Sequence, residues 1–466
     1  MKMSFKVYNT LTDRIEKIEP IKDNIFRIYS CGPTVYNVPH IGNFRSFLFF
    51  DLIKRYLSFL GYEVTHVMNI TDVDDKIILR CNEENQDLKD LTSHYAKMFI
   101  DDSKKLGIEI PDHLPYATDH IPEMIDLIKL LIEKKYAYKT NNGSVFFNIN
   151  SFGDYGKLSK INMNQLESTK RVSDDDYDKK NPQDFALWKA WKFEDGDIFW
   201  NSPWGNGRPG WHIECSAMSI KYLGNEFDIH CGGVDLQFPH HENEIAQSIC
   251  STGKKFARTW LHCEHLLVNG AKMSKSLGNF YTLGDLFSKG YSAKAIRYLL
   301  TSSHYRQKID LTDKNLKGAE KTVRRLQEYN RRLLNISKGN IGSIKKTESS
   351  ILDQFTLSMN NDLNVAEGLA VIFDWVRSIN RKLDSDQILV NDAANSLALL
   401  HKFDSLLCFL DKGELEITSE ESSLIREREI ARKNKNWSRS DEIRELFRKK
   451  GIDLIDTPSG TILKNL

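Results

Sequence analysis

A chain of 466 residues is too long for one simple core and predicts two to four domains. Its 65 basic and 64 acidic residues exclude a polycation that binds nucleic acid over its whole surface, so such a partner would have to meet a local basic face. Seven cysteines without a repeating framework, and no apolar run as long as a membrane span, exclude a disulfide scaffold and a membrane protein and predict a cytoplasmic one.

The first predicted elements form a strand, a helix and a second strand. Residues 25–30 are a short β-rich run, residues 43–60 are long enough for a helix, and residues 63–70 alternate as a strand. A βαβ unit of this kind implies a parallel sheet with a right-handed crossover. Ligands of such sheets bind beyond the carboxyl ends of the strands. Cys31 and Thr71, which follow the two strands, are therefore candidate site residues.

Residues from about 111 to 209 look like an insertion into this sheet, and residues 168–181 within it are strongly polar. The sheet then resumes and leads to a loop with two lysines near residue 272. The further elements predicted here are helices at residues 121–135 and 239–251 and strands at residues 144–150, 227–230 and 260–268.

The character of the chain changes beyond residue 310. Long charged segments that carry leucines, at residues 316–336, 350–383 and 391–410, predict an antiparallel helical bundle. We therefore expect a first domain at residues 1–310, a bundle at residues 311–411 and a small basic module at residues 412–466. The segment at about 255–310 completes the first domain.

Residues 39–43 read Pro-His-Ile-Gly-Asn at the start of the first predicted helix. Backbone N–H groups at a helix N-terminus favour phosphate, and a glycine lets a ligand approach the backbone. His40 can donate a hydrogen bond to a phosphate oxygen. Taken alone, a histidine beside a glycine is more often an ordinary helix entry.

Residues 272–276 read Lys-Met-Ser-Lys-Ser on a loop flanked by glycines. Lys272 and Lys275 can neutralise the charge that develops on a triphosphate during attack at its α-phosphorus. A solvated basic turn is the alternative. The two motifs lie about 230 residues apart and each follows a strand, and together they resemble the paired ATP signatures of class I aminoacyl-tRNA synthetases.

Two thiolates, one imidazole and one carboxylate form a ligand set that suits tetrahedral zinc. His240 and Glu244 are four residues apart, so one helical face presents both. The spacing does not choose between His240 and His241, and it does not exclude His212. Cysteines that are simply buried are the alternative. The candidate ligands at this point are Cys31, Cys215, one of these three histidines and Glu244.

Five longer runs carry a more specific resemblance. They resemble the cysteinyl-tRNA synthetase family, in family order, and the similarity extends from about residue 5 to residue 460. The resemblance implies an α/β fold, with a Rossmann-type parallel-sheet catalytic domain and a connective insertion, followed by an α-helical bundle and a small C-terminal anticodon-binding module. The runs are residues 31–36, 69–76, 184–189, 207–215 and 238–244.

The resemblance also implies an activity. Such an enzyme activates L-cysteine with ATP and Mg²⁺ to cysteinyl-adenylate and pyrophosphate, and transfers cysteine to the 3′-terminal adenosine of tRNA(Cys). It implies one Zn²⁺ per chain, held by Cys31, Cys215, His240 and Glu244. We expect a monomer. Zinc suits this substrate because shape alone distinguishes cysteine from serine only about 10–200-fold, whereas the metal prefers a thiolate.

The predicted ATP site follows from the two signatures and from the sheet ends. Asp235 would hold the ribose hydroxyls, or it is an ordinary turn aspartate. The predicted ATP-binding residues are His40, Gly42, Asn43, Gly233, Asp235, Lys272 and Lys275, and the catalytic ones among them are His40, Asn43, Lys272 and Lys275.

The predicted cysteine pocket lies beside the metal ligands. Thr34 and Thr71 would bind the substrate amine and carboxylate, and Trp211 would wall the side chain unless it is simply a core residue. The predicted cysteine-binding residues are Gly32, Thr34, Thr71 and Trp211.

Residues 424–450 hold ten lysines or arginines against five acids, a local net charge of 10 − 5 = +5. Phosphate contacts and one stacking surface would suit an anticodon arm. Cys231 stands where the family usually has glycine and is interpreted as a small buried side chain. The tail after Gly460 lacks the tryptophan that the family commonly carries. The predicted tRNA-binding residues are Arg432, Lys433, Lys435 and Trp437.

Three rival functions remain open at this point. A ligase that joins cysteine to a sugar amine would have no use for the basic module. A methionyl-tRNA synthetase shares the ATP signatures, but the chain has no Cys-x-x-Cys knuckle. A catalytically inactive RNA-binding homologue would not need His40, Lys272 and Lys275.

Overall fold

A computed structural model describes residues 4–161, 183–273, 278–385, 387–411, 419–449, 452–457 and 460–465. The chain divides into two compact units, Met1–Phe409 and Leu410–Leu466. No helix in the described part combines the length and the apolar character needed to cross a bilayer. The polar stretch at residues 168–181 and Lys275 lie outside the described residues. A domain boundary near residue 310 stays a prediction.

The first unit alternates strands and helices as far as Leu311 and is helical in the described residues beyond it. Its strands are β1 (Lys6–Asn9), β2 (Arg14–Lys17), β3 (Ile25–Ser30), β4 (Glu63–Met68), β5 (Ala137–Lys139), β6 (Val145–Phe147), β7 (Phe185–Ala190), β8 (Gly207–Pro209), β9 (Phe227–Gly233), β10 (Ala257–Cys263), β11 (Leu266–Val268), β12 (Ala271–Lys272) and β13 (Ile309–Leu311). Its α-helices are α1 (Ile41–Phe59), α2 (Asp75–Glu84), α3 (Leu88–Lys105), α4 (Ile121–Glu133), α5 (Trp211–Leu223), α6 (Glu242–Thr252), α7 (Leu283–Ser288), α8 (Ala293–Thr301), α9 (Asp313–Ser337), α10 (Lys346–Asn360), α11 (Val365–Asp384) and α12 (Val390–Leu407).

A parallel sheet in the order β10–β9–β3–β4 forms the centre of this unit. The chain starts at β3, crosses through α1 to β4 at one edge, and later returns to β9 and β10 on the other side of β3. The direction of winding therefore reverses between β3 and β9, and ligands of open parallel sheets bind at such a switch point. The predicted βαβ unit and the α/β fold class are confirmed.

Helix α1 is held at both ends by local interactions. His40 precedes it with extended backbone, and the Asn43 carboxamide oxygen accepts a hydrogen bond from the His40 backbone N–H at 3.1 Å. Gly61, with φ of 88°, follows its last turn, a conformation that glycine adopts without strain. Most of its middle turns are buried, because the helix packs between the sheet and the helices that follow.

The predicted insertion contains its own antiparallel sheet, β5–β6–β7–β8. Trp188 of β7 is completely buried and packs against Trp204 at a centroid distance of 5.9 Å. The last strand of this sheet ends at Pro209, Gly210 caps the next helix, and α5 begins at Trp211. The insertion thereby delivers Trp211 and Cys215 to the carboxyl edge of the central sheet.

One sequence prediction about elements was wrong, and two other elements differ from the prediction in their bounds. The strand predicted at residues 260–268 is two strands, because β10 stays in the central sheet whereas β11 pairs with β12 and β13 in another one. The segment at residues 350–383 is helical, as predicted, and contains parts of two helices, α10 and α11, which are separated where Asp362 and Leu363 have positive φ, at 61° and 52°. The helix predicted from residue 239 begins at Glu242, since Phe238 precedes a proline and is extended (φ −137°).

The bundle is anchored to the sheet domain by a buried arginine. Arg297 of α8 is 1% exposed and donates to the Asp51 carboxylate of α1 at 2.6 Å. It also donates to the Leu407 carbonyl oxygen at the end of α12 at 2.7 Å and to the Leu106 carbonyl oxygen at 3.1 Å. One guanidinium group therefore donates hydrogen bonds to carbonyl oxygens at two helix ends. Arginine can do this because its five N–H donors point in several directions in one plane.

In its described residues the second unit has two helices and a hairpin. Its elements are α13 (Ser419–Lys433), α14 (Trp437–Lys449), β14 (Ile452–Thr457) and β15 (Gly460–Asn465). Ile443, Phe447 and Leu454 form its small core. Arg428, only 1% exposed, pairs with Asp456 at 2.7 Å and so ties α13 to the hairpin.

Candidate active site

Four candidate metal ligands meet at the switch point of the sheet. Cys31 directly follows β3, Cys215 lies in the first turns of α5, and His240 and Glu244 stand before and within the first turn of α6. Their ligand atoms all lie within 4.8 Å of one another, and all four side chains are buried. Three separate stretches of the chain thus bring two thiols, one imidazole and one carboxylate to one point.

Two overlapping ligand sets share Cys31 and Glu244. In the first, His240 Nε2 lies 3.2 Å from Glu244 Oε1, and Cys31 Sγ lies 3.8 Å from the same oxygen. In the second, His241 Nε2 lies 3.3 Å from Cys31 Sγ, and His230 Nε2 lies 2.9 Å from Glu244 Oε2. Only the set with His240 contains both cysteines that the sequence singles out.

The electrostatics of the cluster favour a positive partner. Burial opposes ionisation of Glu244, but His230 and His240 hold the pKa of its carboxyl at about 2. Burial also opposes ionisation of Cys215, but Cys31 and His240 lower the pKa of its thiol to about 6. Two anionic donors out of contact with water require a cation, which either a proton on His240 or a metal ion provides.

Further histidines surround the ligand set, and sequence reasoning missed two of them. His212 Nδ1 lies 2.9 Å from His240 Nδ1, so its place is behind His240 and outside both ligand sets. His262 Nε2 lies 2.8 Å from His241 Nδ1. The two missed residues are His230 of β9 and His262 of β10, which are adjacent parallel strands. Histidines in two neighbouring strands of the predicted sheet would have indicated both. Such contacts orient ligand imidazoles.

Beside the cluster are two glycines at positions where a side chain would overlap a neighbouring group. A Cβ at Gly32 would overlap the Asn69 carbonyl oxygen, and a Cβ at Gly232 would overlap the His241 ring. The neighbouring Cys231 is completely buried, and burial raises the pKa of its thiol. The interpretation of Cys231 as a small buried side chain is confirmed.

A cavity of about 430 Å³ opens beside the cluster at the carboxyl edge of the sheet. Cys31 and Trp211 line the end nearest the metal ligands. Thr71, Cys215, His240 and Glu244 are buried beneath it and are not among its lining residues. Other predicted site residues that line it are Gly32, Thr34, His40, Gly42, Asn43, Gly233, Asp235 and Lys272.

The two predicted ATP signatures lie together at this cavity. The backbone N–H of Ile41 donates to the Tyr281 carbonyl oxygen at 2.8 Å, and the His40 ring packs against Phe280 at 5.4 Å. Asn279 donates to the Lys272 carbonyl oxygen at 3.1 Å. The chain that follows the second signature is thereby fixed to the start of α1. Lys275 itself lies outside the described residues.

The predicted nucleotide residues at β9 stand on the other side of the cavity. Gly233 ends β9, and Asp235 lies in the short turn after it with an exposed side chain. A Cβ at Gly233 would lie 2.5 Å from the Asp235 carboxylate. The glycine therefore leaves room for a carboxylate that faces the cavity.

The predicted cysteine pocket contains a hydrogen-bond chain. Thr34 and Thr71 form a bridge that extends the pairing of β3 and β4. The Thr71 hydroxyl donates to Glu214 at 2.9 Å and accepts from the Asn69 carboxamide at 3.0 Å. Asn69 and Glu214 were missed as site residues, although both lie within runs that carry the family resemblance.

Trp211 is not a core residue. It is 38% exposed, and its ring lies 4.4 Å from the His240 ring. The indole therefore covers the metal cluster on the side that faces the cavity.

The predicted tRNA residues are in the second unit. Trp437 is 54% exposed, and the Arg432 guanidinium lies 5.5 Å from its ring centre. Arg432 is also paired with Asp456 at 3.1 Å. Lys433 and Lys435 are exposed, and within the described residues neither takes part in an ion pair. The local charge of +5 therefore overstates the basic surface, because acids outside the counted window neutralise part of it.

Comparison with known proteins gives the family. The family profile described as "tRNA synthetases class I (C) catalytic domain" matches residues 17–321, and a profile described as "DALR domain" matches residues 354–411. The chain is 44% identical to a cysteine–tRNA ligase of Protochlamydia amoebophila, over 98% of this chain and 97% of the relative. It is 45% identical to one of Brachyspira hyodysenteriae, over 97% and 98%.

Solved structures agree on the fold. A methionyl-tRNA synthetase of Mycobacterium tuberculosis in complex with methionyl-adenylate has a TM-score of 0.58 at 13% identity, and the match covers 83% of this chain and 90% of that one. A putative arginyl-tRNA synthetase of Campylobacter jejuni has a TM-score of 0.53 at 14% identity and covers 83% and 93%. With the identity of the full-length relatives, the resemblance in sequence is confirmed: the chain belongs to the cysteine–tRNA ligase family of class I tRNA synthetases.

Proposed function

We propose that this chain joins L-cysteine to tRNA(Cys) at the expense of ATP and selects cysteine through a zinc ion in the buried cluster. The observation that carries the proposal is the position of the four-ligand cluster directly beneath a cavity that both ATP signatures also line. The family membership supplies the reaction, and the cluster supplies the reason why the amino acid is cysteine.

The donor set fits zinc. Two thiols are soft ligands, and a set of two sulfurs, one nitrogen and one oxygen is typical of tetrahedral zinc rather than of magnesium or calcium. Zinc bound there would accept a thiolate far more readily than a serine hydroxyl, because its charge promotes ionisation of the thiol. Cys31, Cys215, His240 and Glu244 would hold it, with His212 and His230 orienting His240 and Glu244.

The remaining residues bind and orient the substrates. Thr34, which lines the cavity, binds the amine or carboxylate of cysteine, and the buried Thr71 positions it through the bridge between their backbones. Trp211 keeps water from the side chain. The N-terminus of α1 and His40 hold phosphate oxygens, and Asp235 holds the ribose hydroxyls.

In the first step, the cysteine carboxylate attacks the α-phosphorus and the bond to pyrophosphate breaks. Lys272 and Lys275 stabilise the negative charge that develops, together with the Mg²⁺ that enters with ATP. The 2′-hydroxyl of the terminal ribose of tRNA then attacks the cysteinyl-adenylate, and AMP leaves.

Cysteine-dependent ATP–pyrophosphate exchange tests the proposal. We expect exchange with cysteine, none with methionine, and a kcat/KM for serine lower by roughly 10⁴-fold, because shape alone would give only about 10–200-fold. Metal analysis of the same sample should give one zinc per chain. Exchange with serine within about 200-fold of cysteine, or full activity without zinc, would overturn the proposed selection.

The same assay separates the rivals. A ligase for a sugar amine would exchange with cysteine but would not charge tRNA, and a methionine enzyme would exchange with methionine. An inactive RNA-binding homologue would show no exchange.

A further inference from the structure

A cluster of four charged side chains lies between the insertion sheet and the start of α2, and the proposed function assigns it no role. Lys189 of β7 and Arg208 of β8 stand directly opposite each other in the register of the insertion sheet. The carboxylate of Asp75, the first residue of α2, accepts from Lys189 Nζ at 2.8 Å and from Arg208 Nη2. Asp195 pairs with Arg208 at 2.8 Å and completes the cluster.

The charge balance of this cluster depends on Asp75. Like charges directly opposite each other on two strands repel, so Lys189 and Arg208 require an anion between them. The Arg208 side chain is only 8% exposed, and a buried cation that loses its partner is strongly unfavourable. Burial opposes ionisation of Asp75, but Lys189 and Arg208 lower the pKa of its carboxyl to about 2. At neutral pH two anions therefore balance two cations.

Both sides of the cluster continue directly into the cysteine pocket. Asp75 stands four positions after Thr71, and Arg208 stands three positions before Trp211, the first residue of α5. Glu214, in the first turn of α5, accepts from the Thr71 hydroxyl at 2.9 Å. Trp211 therefore lies between two residues, Arg208 and Glu214, that are both held to the chain between Thr71 and Asp75.

We propose that Asp75 is a positioning residue of the cysteine pocket, whose carboxylate holds Arg208 and thereby keeps the Trp211 indole over the metal cluster. The inference rests on the proposed function, because that function assigns the pocket to cysteine. Asp75 is not among the residues that line the cavity, so it acts through Trp211 and not on the substrate. An indole that is 38% exposed has few packing contacts of its own to hold it, so its position depends on how the backbone on either side is fixed.

A double-mutant cycle between Asp75 and Trp211 tests the inference on the full chain with zinc bound. In cysteine-dependent exchange, Asp75→Asn should lower kcat/KM for cysteine by about 10- to 100-fold, because small displacements of substrate-positioning groups have effects of that size. In the Trp211→Ala protein the same change should cause a loss at least about threefold smaller, because an indole that is absent cannot be displaced. Asp75→Asn should change the KM for ATP by less than about twofold, since the cluster lies on the side of the cysteine pocket.

Matched variants separate positioning from folding. Asp75→Glu keeps the charge and should restore most of the lost kcat/KM, and Asp126→Asn, which removes an exposed ion pair of α4, should leave it unchanged. If Asp75→Asn does not fold, the cycle is run with Arg208→Gln, which leaves Asp75 paired with Lys189 and should show the same dependence on Trp211.

Two results would overturn the inference. One is an equal loss of kcat/KM for cysteine with and without the Trp211 indole, and the other is a KM for ATP that rises as much as the KM for cysteine. Absence of exchange in the unchanged protein would instead overturn the proposed function.

Discussion

At the scale of single residues, the site depends on positions where a side chain has no room. Gly32 links Cys31 to the cysteine pocket, and its backbone N–H donates to the Asn69 carboxamide at 2.9 Å. The Asn69 backbone oxygen occupies the place where a Cβ of residue 32 would lie. Because both sides of this contact are backbone, neither can move without separating the ends of β3 and β4.

We therefore expect Gly32→Ala to abolish cysteine-dependent exchange and to lower the free energy of unfolding by about 1–3 kcal/mol, the usual cost of overpacking. Gly318→Ala is the matched control. Gly318 lies inside α9 with no atom within 4 Å of an added Cβ, so the change should raise stability by about 0.5–1 kcal/mol. Denaturant unfolding of both variants measures the difference. Equal stability and equal exchange in the two would contradict this view of Gly32.

Part of the site could be predicted residue by residue. Cys31, Cys215 and Glu244 stand in runs whose chemistry points to a metal, and the structure brings them together with His240. The choice among His212, His240 and His241 could not be made, because it depends on which imidazole nitrogen faces the cluster. That orientation is set by contacts such as the one between His212 and His240, which spacing along the chain does not contain.

At the scale of elements, the sequence pattern predicts those helices and strands whose bounds are set by interactions between residues close in the chain. The strand at residues 25–30 and the helix that follows it were predicted within two residues, because hydrophobic alternation and a glycine stop mark them. The break between β10 and β11 was missed, because it reflects a change of partner strand and leaves no turn signal. Which strands pair with each other, when they are far apart in the chain, is the part of the fold that could not be predicted from this single sequence.

The link between α13 and α14 is the element to which we assign tRNA contact. Replacing Lys433 and Lys435 together by Glu should raise the KM for tRNA several-fold and reduce the slope of log KM against log salt by about 1.5, because two phosphate contacts are lost. Cysteine-dependent exchange, which needs no tRNA, should be unaffected. The charge-keeping pair Lys433→Arg and Lys435→Arg should retain the KM. An unchanged KM for tRNA in the Glu variant at all salt concentrations would contradict the assignment.

At the scale of the whole molecule, charge is balanced while function is concentrated in a few places. The chain has only one more basic residue than acidic residues, so its net charge is close to zero. That net charge does not show the buried anionic cluster in the first unit or the exposed basic link in the second. The length predicted several domains, but the bundle and the sheet belong to one compact unit, which Arg297 helps to hold together. Composition alone gave no indication of that anchor, because buried ion pairs and surface ion pairs use the same residue types.

Sulfur recognition by the buried cluster is the claim on which the account depends, and X-ray absorption at the zinc edge tests it most directly. The purified protein should show two sulfur neighbours, from Cys31 and Cys215. Addition of cysteine should raise the number to three, whereas serine should leave it at two. A sulfur number that stays at two when cysteine saturates the site, or a spectrum without sulfur neighbours, would contradict the account.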